Sequence, residues 1–381
     1  MKRIDIEGRA DWKDKAKEVG FGFHSPDDEA YWTDDAAYVF TMKQIEEDIE
    51  EATTQLHEMC IDTVGRIIDD EASLKALHIP EARWDLVRSS WKNGDPHLYG
   101  RFDLAYDGNG PAKMLEYNAD TPTSIFEAGF FQHNWMIDQR DAGRLPAEVD
   151  QYDFIQESLV EAFAQFPKDV IFHFSCWTDN IEDKGTVSYL MDCATTAGHR
   201  VKMVDIRKIG VDAQGRLTDE DDITIGRCFK LYPWEDMLRE RFAKHIVPGQ
   251  FVEPAWKSII SNKGFLAQLW KHHQGHPNLL ETIVMGTDTV PGSYVRKPFF
   301  SREGENIVIV EDGKITQSTE GDYDGGPCVL QQKADLFRHG DRHAVIGSWV
   351  IGDRACGMGI REDEGLITKD SSLFVPHVII G

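Results

Sequence analysis

Four polar side chains stand in two short alternating segments: Arg101 and Asp103 in the first, Glu116 and Asn118 in the second. Residues 98–106 and 113–118 alternate polar and apolar, and Asp107-Gly108-Asn109-Gly110-Pro111 between them supplies turn chemistry, which predicts a β-hairpin. Side chains two apart on a strand share a face. Each polar pair therefore points one way, and Phe102, Leu104, Leu115 and Tyr117 are expected on the opposite face. Two carboxylates, an amide oxygen and a guanidinium on one side suit a hard cation such as Mg²⁺ beside phosphate oxygens. Burying both carboxylates without a cation would raise one pKa. A solvated sheet face with an Arg–Asp pair shows the same pattern, and strand chemistry alone leaves both readings open.

Further candidates lie on either side. Lys297 precedes Pro298, which pushes it to extended backbone at a strand end. Lys263 falls in a helix-like stretch, so two lysines from separate elements can converge on phosphates as point charges. Exposed solubilising charge explains Lys263 and Lys297 as well, and Lys257 competes for the role of Lys263. Residues 301–306 form a small polar loop whose backbone N–H groups can face phosphates. Thr121, Thr123 and Ser124 follow Asn118 directly, beside any metal; helix capping with Glu127 accounts for Thr123 or Ser124 equally well. His57 and Cys60, one helical turn apart, read as packing residues.

These groups need elements to hold them. Thr41 and Gln44 form a capping box before Ile45, Ile49, Leu56, Met59, Val64 and Ile67, a long amphipathic helix. Residues 82–91 and 123–139 also read as helices. In the middle, residues 169–176, 186–197 and 200–206 spell strand, helix, strand, which is a βαβ unit in a parallel sheet. Residues 225–245 add a strand and a helix, and 256–272 a further helix. Two hairpins close the chain, 307–310 with 315–318 and 344–351 with 355–361.

Composition excludes more than it selects. The chain has 381 residues, room for two or three lobes. Six scattered cysteines lack any Cys-x-x-Cys pair, arguing against a disulfide framework or structural zinc. No apolar run reaches the roughly 20 residues of a membrane helix, and the opening lacks a signal-peptide core, so a cytoplasmic protein is expected. Sixty-six acidic against 41 basic residues give a net charge of −25. That surface repels nucleic acid and anionic membrane and attracts cations.

The stretch LYGRFDLAYDGNGPAKMLEYNADTPTSIFEA resembles the metal-binding hairpin of the glutathionylspermidine synthase family. VEPAWKSIISNKGFLAQLW, YVRKPFFSREGEN and GMGIREDEG…FVPHVI continue the resemblance in order over nearly the whole chain. It implies an α+β, multi-lobed ATP-grasp-type fold with a Rossmann-like α/β lobe. The metal set precedes the phosphate lysines, the reverse of ordinary ATP-grasp order. Three regions are expected: residues 1–150 with the helices and metal hairpin, 151–250 as the α/β lobe on the substrate side, and 251–381 as the ATP-gripping lobe. The resemblance implies that Asp103, Glu116 and Asn118 hold two Mg²⁺ ions and that Lys263 and Lys297 bind the ATP phosphates. Arg101 and Arg361 are implied at the reacting phosphate, with Gln331 and Gln332 flanking the adenine and residues 299–306 closing over the site. Thr121, Thr123 and Ser124 would hold the acid substrate. The implied activity is an ATP-dependent carboxylate–amine ligase working through an acyl phosphate, with glutathione and spermidine as the family's substrates. A Cys/His amidase domain, which bifunctional members carry, has no counterpart in this sequence. A regulatory ATP-binding protein of the same fold and a metal-dependent hydrolase are the alternatives.

Overall fold

The computed structural model describes residues 1–26, 29–288 and 292–381. The predicted hairpin forms, with strands Tyr99–Ala105 and Lys113–Asn118 paired antiparallel so that Arg101 faces Asn118 and Asp103 faces Glu116. A second, distant hairpin, Arg342–Ile351 with Arg354–Asp363, joins it edge to edge: Gly347 pairs with Asp103 and Trp349 with Arg101. Strands Leu373–Val375 and Phe337–His339 complete a six-stranded sheet. One face packs Phe102, Leu104 and Ile346 into the core against the long helix Glu51–Ile67, and the other faces the candidate site.

The βαβ reading also matches the structure. Strands Phe172–Cys176 and Val201–Asp205 pair directly in parallel, with helix Ile181–Thr196 between them in sequence. Strands Arg227–Lys230 and Phe251–Val252 extend the parallel sheet to four. A five-stranded antiparallel sheet carries Tyr294–Pro298 and Cys328–Gln332, with the hairpin Val308–Glu311 and Lys314–Ser318 at its edge. The fold is a mixed α/β arrangement of several sheets. Among the described residues, no helix is long and apolar enough to cross a membrane, and all six cysteines are free and buried.

The capping box forms as expected, Thr41 and Gln44 each accepting the other's backbone N–H at 3.2 Å. Four local expectations change. The stretch read as one helix over 256–272 is a 3₁₀ turn, Ala255–Ser258, and a separate helix, Gly264–His272. The side chains of Ser258 and Asn262 bond backbone carbonyls at this break, competition that favours turns over helix. The helix expected after strand Arg227–Lys230 is only Trp234–Met237 and a 3₁₀ turn, Arg241–His245. Helix Ile181–Thr196 begins earlier than its apolar pattern shows, because Asn180 caps it by accepting the Asp183 N–H at 3.0 Å. Finally, a bulge between Asp103 and Leu104 moves Met114, not Leu115, onto the core face. Leu115 lines the site instead.

Candidate active site

The sheets enclose a cavity of about 480 Å³. Its floor is the polar face of the first hairpin. Arg101 lies along the strand, its Nε donating to Asp103 Oδ1 at 2.7 Å and its Nη1 to the Thr123 carbonyl at 2.9 Å. Asn118 Nδ2 donates to Asp103 Oδ2 at 3.1 Å and Glu116 Oε1 at 3.2 Å. Behind this face, Phe102 and Tyr117 stack with ring centres 3.8 Å apart, so the strands have a rigid back.

The helix break at 259–263 decides where Lys263 goes. It leaves the residue at the N-terminal end of helix Gly264–His272, with Nζ 3.0 Å from Glu116 Oε2 and donating to the Ser301 carbonyl at 2.6 Å. Lys297, on the five-stranded sheet, donates to Gln331 Oε1 at 2.7 Å and the Leu115 carbonyl at 3.0 Å. Burial opposes the charge of both partners in this cluster. It would raise Glu116, but Lys263 and Lys297 overcome it and hold the carboxyl down at about 2. Lys297 is lowered to about 8, by burial and by Lys263, against the pull of Glu116. Lys257 lies outside the cavity, fully buried, 2.7 Å from Glu253 and donating to the Tyr99 carbonyl.

Arg361 reaches the cavity from the second hairpin. Its guanidinium sits over the Tyr31 ring and donates to the carbonyls of Ser372, Lys369 and Asp370. It makes no ion pair with Glu362, which binds Arg3 at 2.7 Å instead. Thr121 and Thr123 line the cavity; Ser124 does not. Ser124 is buried at positive φ, with Oγ at 3.0 Å from the Tyr31 hydroxyl and 3.5 Å from Arg361. It therefore supports Arg361 rather than capping the helix that follows.

Gln331 and Gln332 both border the cavity, but strand Cys328–Gln332 pairs with strands on both sides. The Gln331 side chain is engaged as well, its Oε1 accepting from Lys297 and its Nε2 donating to the Met114 carbonyl. Leu115, Val295, Ile309, Leu336 and Val345 make this end of the cavity apolar.

In the loop 299–306, Ser301, Arg302, Glu303 and Gly304 line the cavity. Arg302 ties the loop to other elements, donating to Thr121 Oγ1 at 2.6 Å and Glu235 Oε1 at 2.5 Å. At its tip Gly304 has φ +72°, and a Cβ there would come 2.4 Å from the Thr368 carbonyl oxygen.

Glu182 and Asp183, which could attract a polyamine but whose place the sequence does not fix, also reach the cavity. Glu182, Asp183, Glu303 and Asp370 form an acidic wall of the cavity. Burial and repulsion from Asp370 push Glu182 up to about 8, and burial with the charge of Glu303 pushes Asp183 up to about 6. Burial also raises Glu303, with Asp370 adding to it. Such crowding of carboxylates is what a cation would relieve. The signal in sequence was Asn180 as a cap three residues before Asp183, which fixes the start of the helix and so the placing of Glu182 and Asp183.

The chain matches the family model described as glutathionylspermidine synthase, preATP-grasp, over residues 3–380. It belongs to the glutathionylspermidine synthase family. Relatives of the family chain include a Haemophilus influenzae protein provisionally named acid–amine ligase, 38% identical with both chains covered in full. The trypanothione synthetase of Crithidia fasciculata is 28% identical over 84% of this chain, which spans 53% of that protein. The bifunctional glutathionylspermidine synthetase/amidase of Escherichia coli is 25% identical over 99% of the chain and 65% of its own length. The family and these relatives are ATP-dependent ligases, so the enzyme class expected from sequence stands. A glutathione synthetase-like effector of Globodera pallida shares the fold, with a TM-score of 0.60 at 12% identity over 97% of this chain and 96% of that one.

Proposed function

We propose that this member of the family joins a carboxylic acid to an amine at the expense of ATP, in an ATP-grasp-type site. The observation that carries the proposal is the division of one cavity into a cationic end, a hard-oxygen set and an acidic wall. Lys263, Lys297, Arg101 and Arg361 meet the needs of a triphosphate, and the apolar end beside Gln331 those of its adenine.

Asp103, Glu116 and Asn118 fit Mg²⁺ by the chemistry of their donors. The Asn118 amide now turns its Nδ2 to both carboxylates; a half-turn would present Oδ1 to a cation instead. Mg²⁺ there would neutralise phosphate charge as the terminal phosphoryl group moves.

Thr121 and Thr123 orient the acid. A carboxylate oxygen attacks the γ-phosphorus, the bond to the bridging oxygen of ADP breaks, and an acyl phosphate forms. Arg101, Lys263 and Lys297 stabilise the moving charge through preorganised contacts. The amine nitrogen then attacks the acyl carbon, inorganic phosphate leaves, and the amine loses a proton. The acidic wall binds a cationic amine, whose charge favours the ionised form of Glu182, and the Glu182 carboxylate then accepts that proton. Arg302, tied to Thr121 and Glu235, holds the loop across the opening, which protects the acyl phosphate from water.

Phosphate release from Mg-ATP, measured on the purified protein with peptide acids crossed against polyamines, tests the proposal. Release that needs one acid–amine pair and yields a new amide mass is expected. Release that ignores both, or no ATP binding with Mg²⁺ present, overturns it.

A further inference from the structure

A second cluster lies on the back of the same hairpin, away from the cavity. His57 comes from helix Glu51–Ile67, His97 from the segment entering strand Tyr99–Ala105, and Asp353 from the turn between strands Arg342–Ile351 and Arg354–Asp363. Three remote pieces of chain thus bring two imidazoles and a carboxylate to one point. His57 Nε2 lies 3.0 Å and His97 Nε2 3.1 Å from the same oxygen, Asp353 Oδ1, and one ligand atom from each of the three residues falls within 4.8 Å of the others. The two rings tilt 31° from each other with centres 5.6 Å apart.

We propose that His57, His97 and Asp353 form a binding site for a divalent transition ion of the zinc class. In a tetrahedral zinc site with bonds of about 2.0–2.1 Å, neighbouring ligand atoms stand roughly 3.3 Å apart. The two nitrogen–oxygen distances are close to that spacing already, and the ligand atoms of the two histidines lie within 4.8 Å of each other. Two imidazoles with one carboxylate select zinc-like ions over Mg²⁺, which prefers oxygen. The cluster therefore does not compete for the metal of the active site.

The surroundings complete a metal-site pattern. His57 is buried, whereas the Asp353 side chain is 80% exposed, leaving further coordination positions to water. The Tyr117 hydroxyl lies 3.3 Å from His57 Nδ1. A hydrogen on Nδ1 shared with that oxygen leaves the Nε2 lone pair free for a metal. His97 packs edge-on against Trp256, fixing its ring. Tyr117 stacks on Phe102 within the strands that carry Asp103 and Glu116, so an ion here would brace that hairpin from behind. The simple alternative keeps a hydrogen on both Nε2 atoms, sharing one carboxylate oxygen without any ion.

The two are separated by titrating the metal-stripped full-length protein with Zn²⁺ against a chromophoric chelator, in excess Mg-ATP. Co²⁺ serves as the spectroscopic probe. One zinc equivalent and a tetrahedral Co²⁺ spectrum are expected for the wild type. Asp353→Ala, at an exposed turn, should lose both while keeping its circular dichroism. Tyr117→Phe should weaken zinc by about 10–100-fold, as loss of a group supporting a ligand does. Asp103→Ala, at the other site, should retain the zinc equivalent. If Asp353→Ala and His97→Ala bind zinc as the wild type does, or if Asp103→Ala abolishes the binding, the ion sits elsewhere and the proposal fails.

Discussion

Gly347 lies directly opposite Asp103 in the neighbouring strand, and the space left by its missing side chain is filled by Arg101. A Cβ on Gly347 would stand 2.8 Å from Arg101 Cδ. The C-terminal hairpin thus makes room for the guanidinium to lie along the strand and pair with Asp103. Gly347→Ala should push Arg101 out of this pose. A displacement of about 1 Å can cost on the order of 10²-fold in rate, so kcat should fall by at least tenfold. Thermal unfolding should move far less. Unchanged kcat for a folded Gly347→Ala protein would remove Arg101 from the proposed reaction.

Asp103→Ala removes one donor of the metal set. By analogy with other preorganised groups, the loss is about 3–4 kcal/mol, or roughly 10²–10³ in kcat. The variant should also require more Mg²⁺ for half-maximal rate. Steady-state phosphate release over a Mg²⁺ series checks both effects, and near-wild-type turnover would sink the metal assignment.

Lys297 supplies a pH dependence. Its ammonium is lowered to about 8 by burial, with Lys263 adding repulsion and Glu116 opposing. The free protein therefore loses this charge above about pH 8, whereas a bound triphosphate favours it. ATP affinity should weaken as pH rises through 8, and binding near pH 9 should take up a proton. Calorimetry in buffers of different ionisation enthalpy reads that proton, and Lys297→Met should lose it. The sign for stability follows the same rule. Because the folded value lies below that of a free lysine, the charged form costs stability below about pH 8, and the cost fades towards pH 10.4.

The acidic wall gives the opposite sign. Glu182 is raised to about 8 by burial and Asp370, so its charge develops only above that pH in the free protein. Affinity for a polyamine should rise from pH 7 to 8.5. Glu182→Gln should raise KM for the amine by about 10-fold or more while leaving ATP affinity unchanged, which corresponds to about 1.4 kcal/mol. An equal loss of ATP binding would show that Glu182 does not act on the amine.

Gly304 tests the loop. Its φ of +72° and the Thr368 carbonyl oxygen packed against the position of a Cβ leave no room for a side chain. Gly304→Ala should hold the loop open and admit water. ATP consumption without matching amide should then rise, measured as the ratio of phosphate to product. A ratio equal to wild type would show that residues 299–306 do not protect the intermediate.

The hairpin was readable because its information is local. Alternation put Arg101 with Asp103 and Glu116 with Asn118, and Asp-Gly-Asn-Gly supplied the turn. The misplaced Leu115 shows the limit: a bulge is a property of the strand pair, so alternation within one strand does not reveal it. Lys257 and Lys263 could not be ranked either, because both lie in a sequence with helical pattern. Burial beside Glu253 removed one of them from the cavity.

By itself, the amino-acid sequence determined the family, the hairpin with its polar face, the βαβ unit and the order of the candidate groups. The family rests on resemblance along nearly the whole chain; the rest comes from near neighbours in sequence, or from patterns of period two and near four. Tertiary structure alone decided what meets across long separations. It set Gly347 against Asp103, turned Ser124 to Arg361, gathered the acidic wall from three segments, and brought His57 and His97 to Asp353. Those meetings depend on how sheets pack to bury their apolar faces, a property of the whole chain that no local pattern carries.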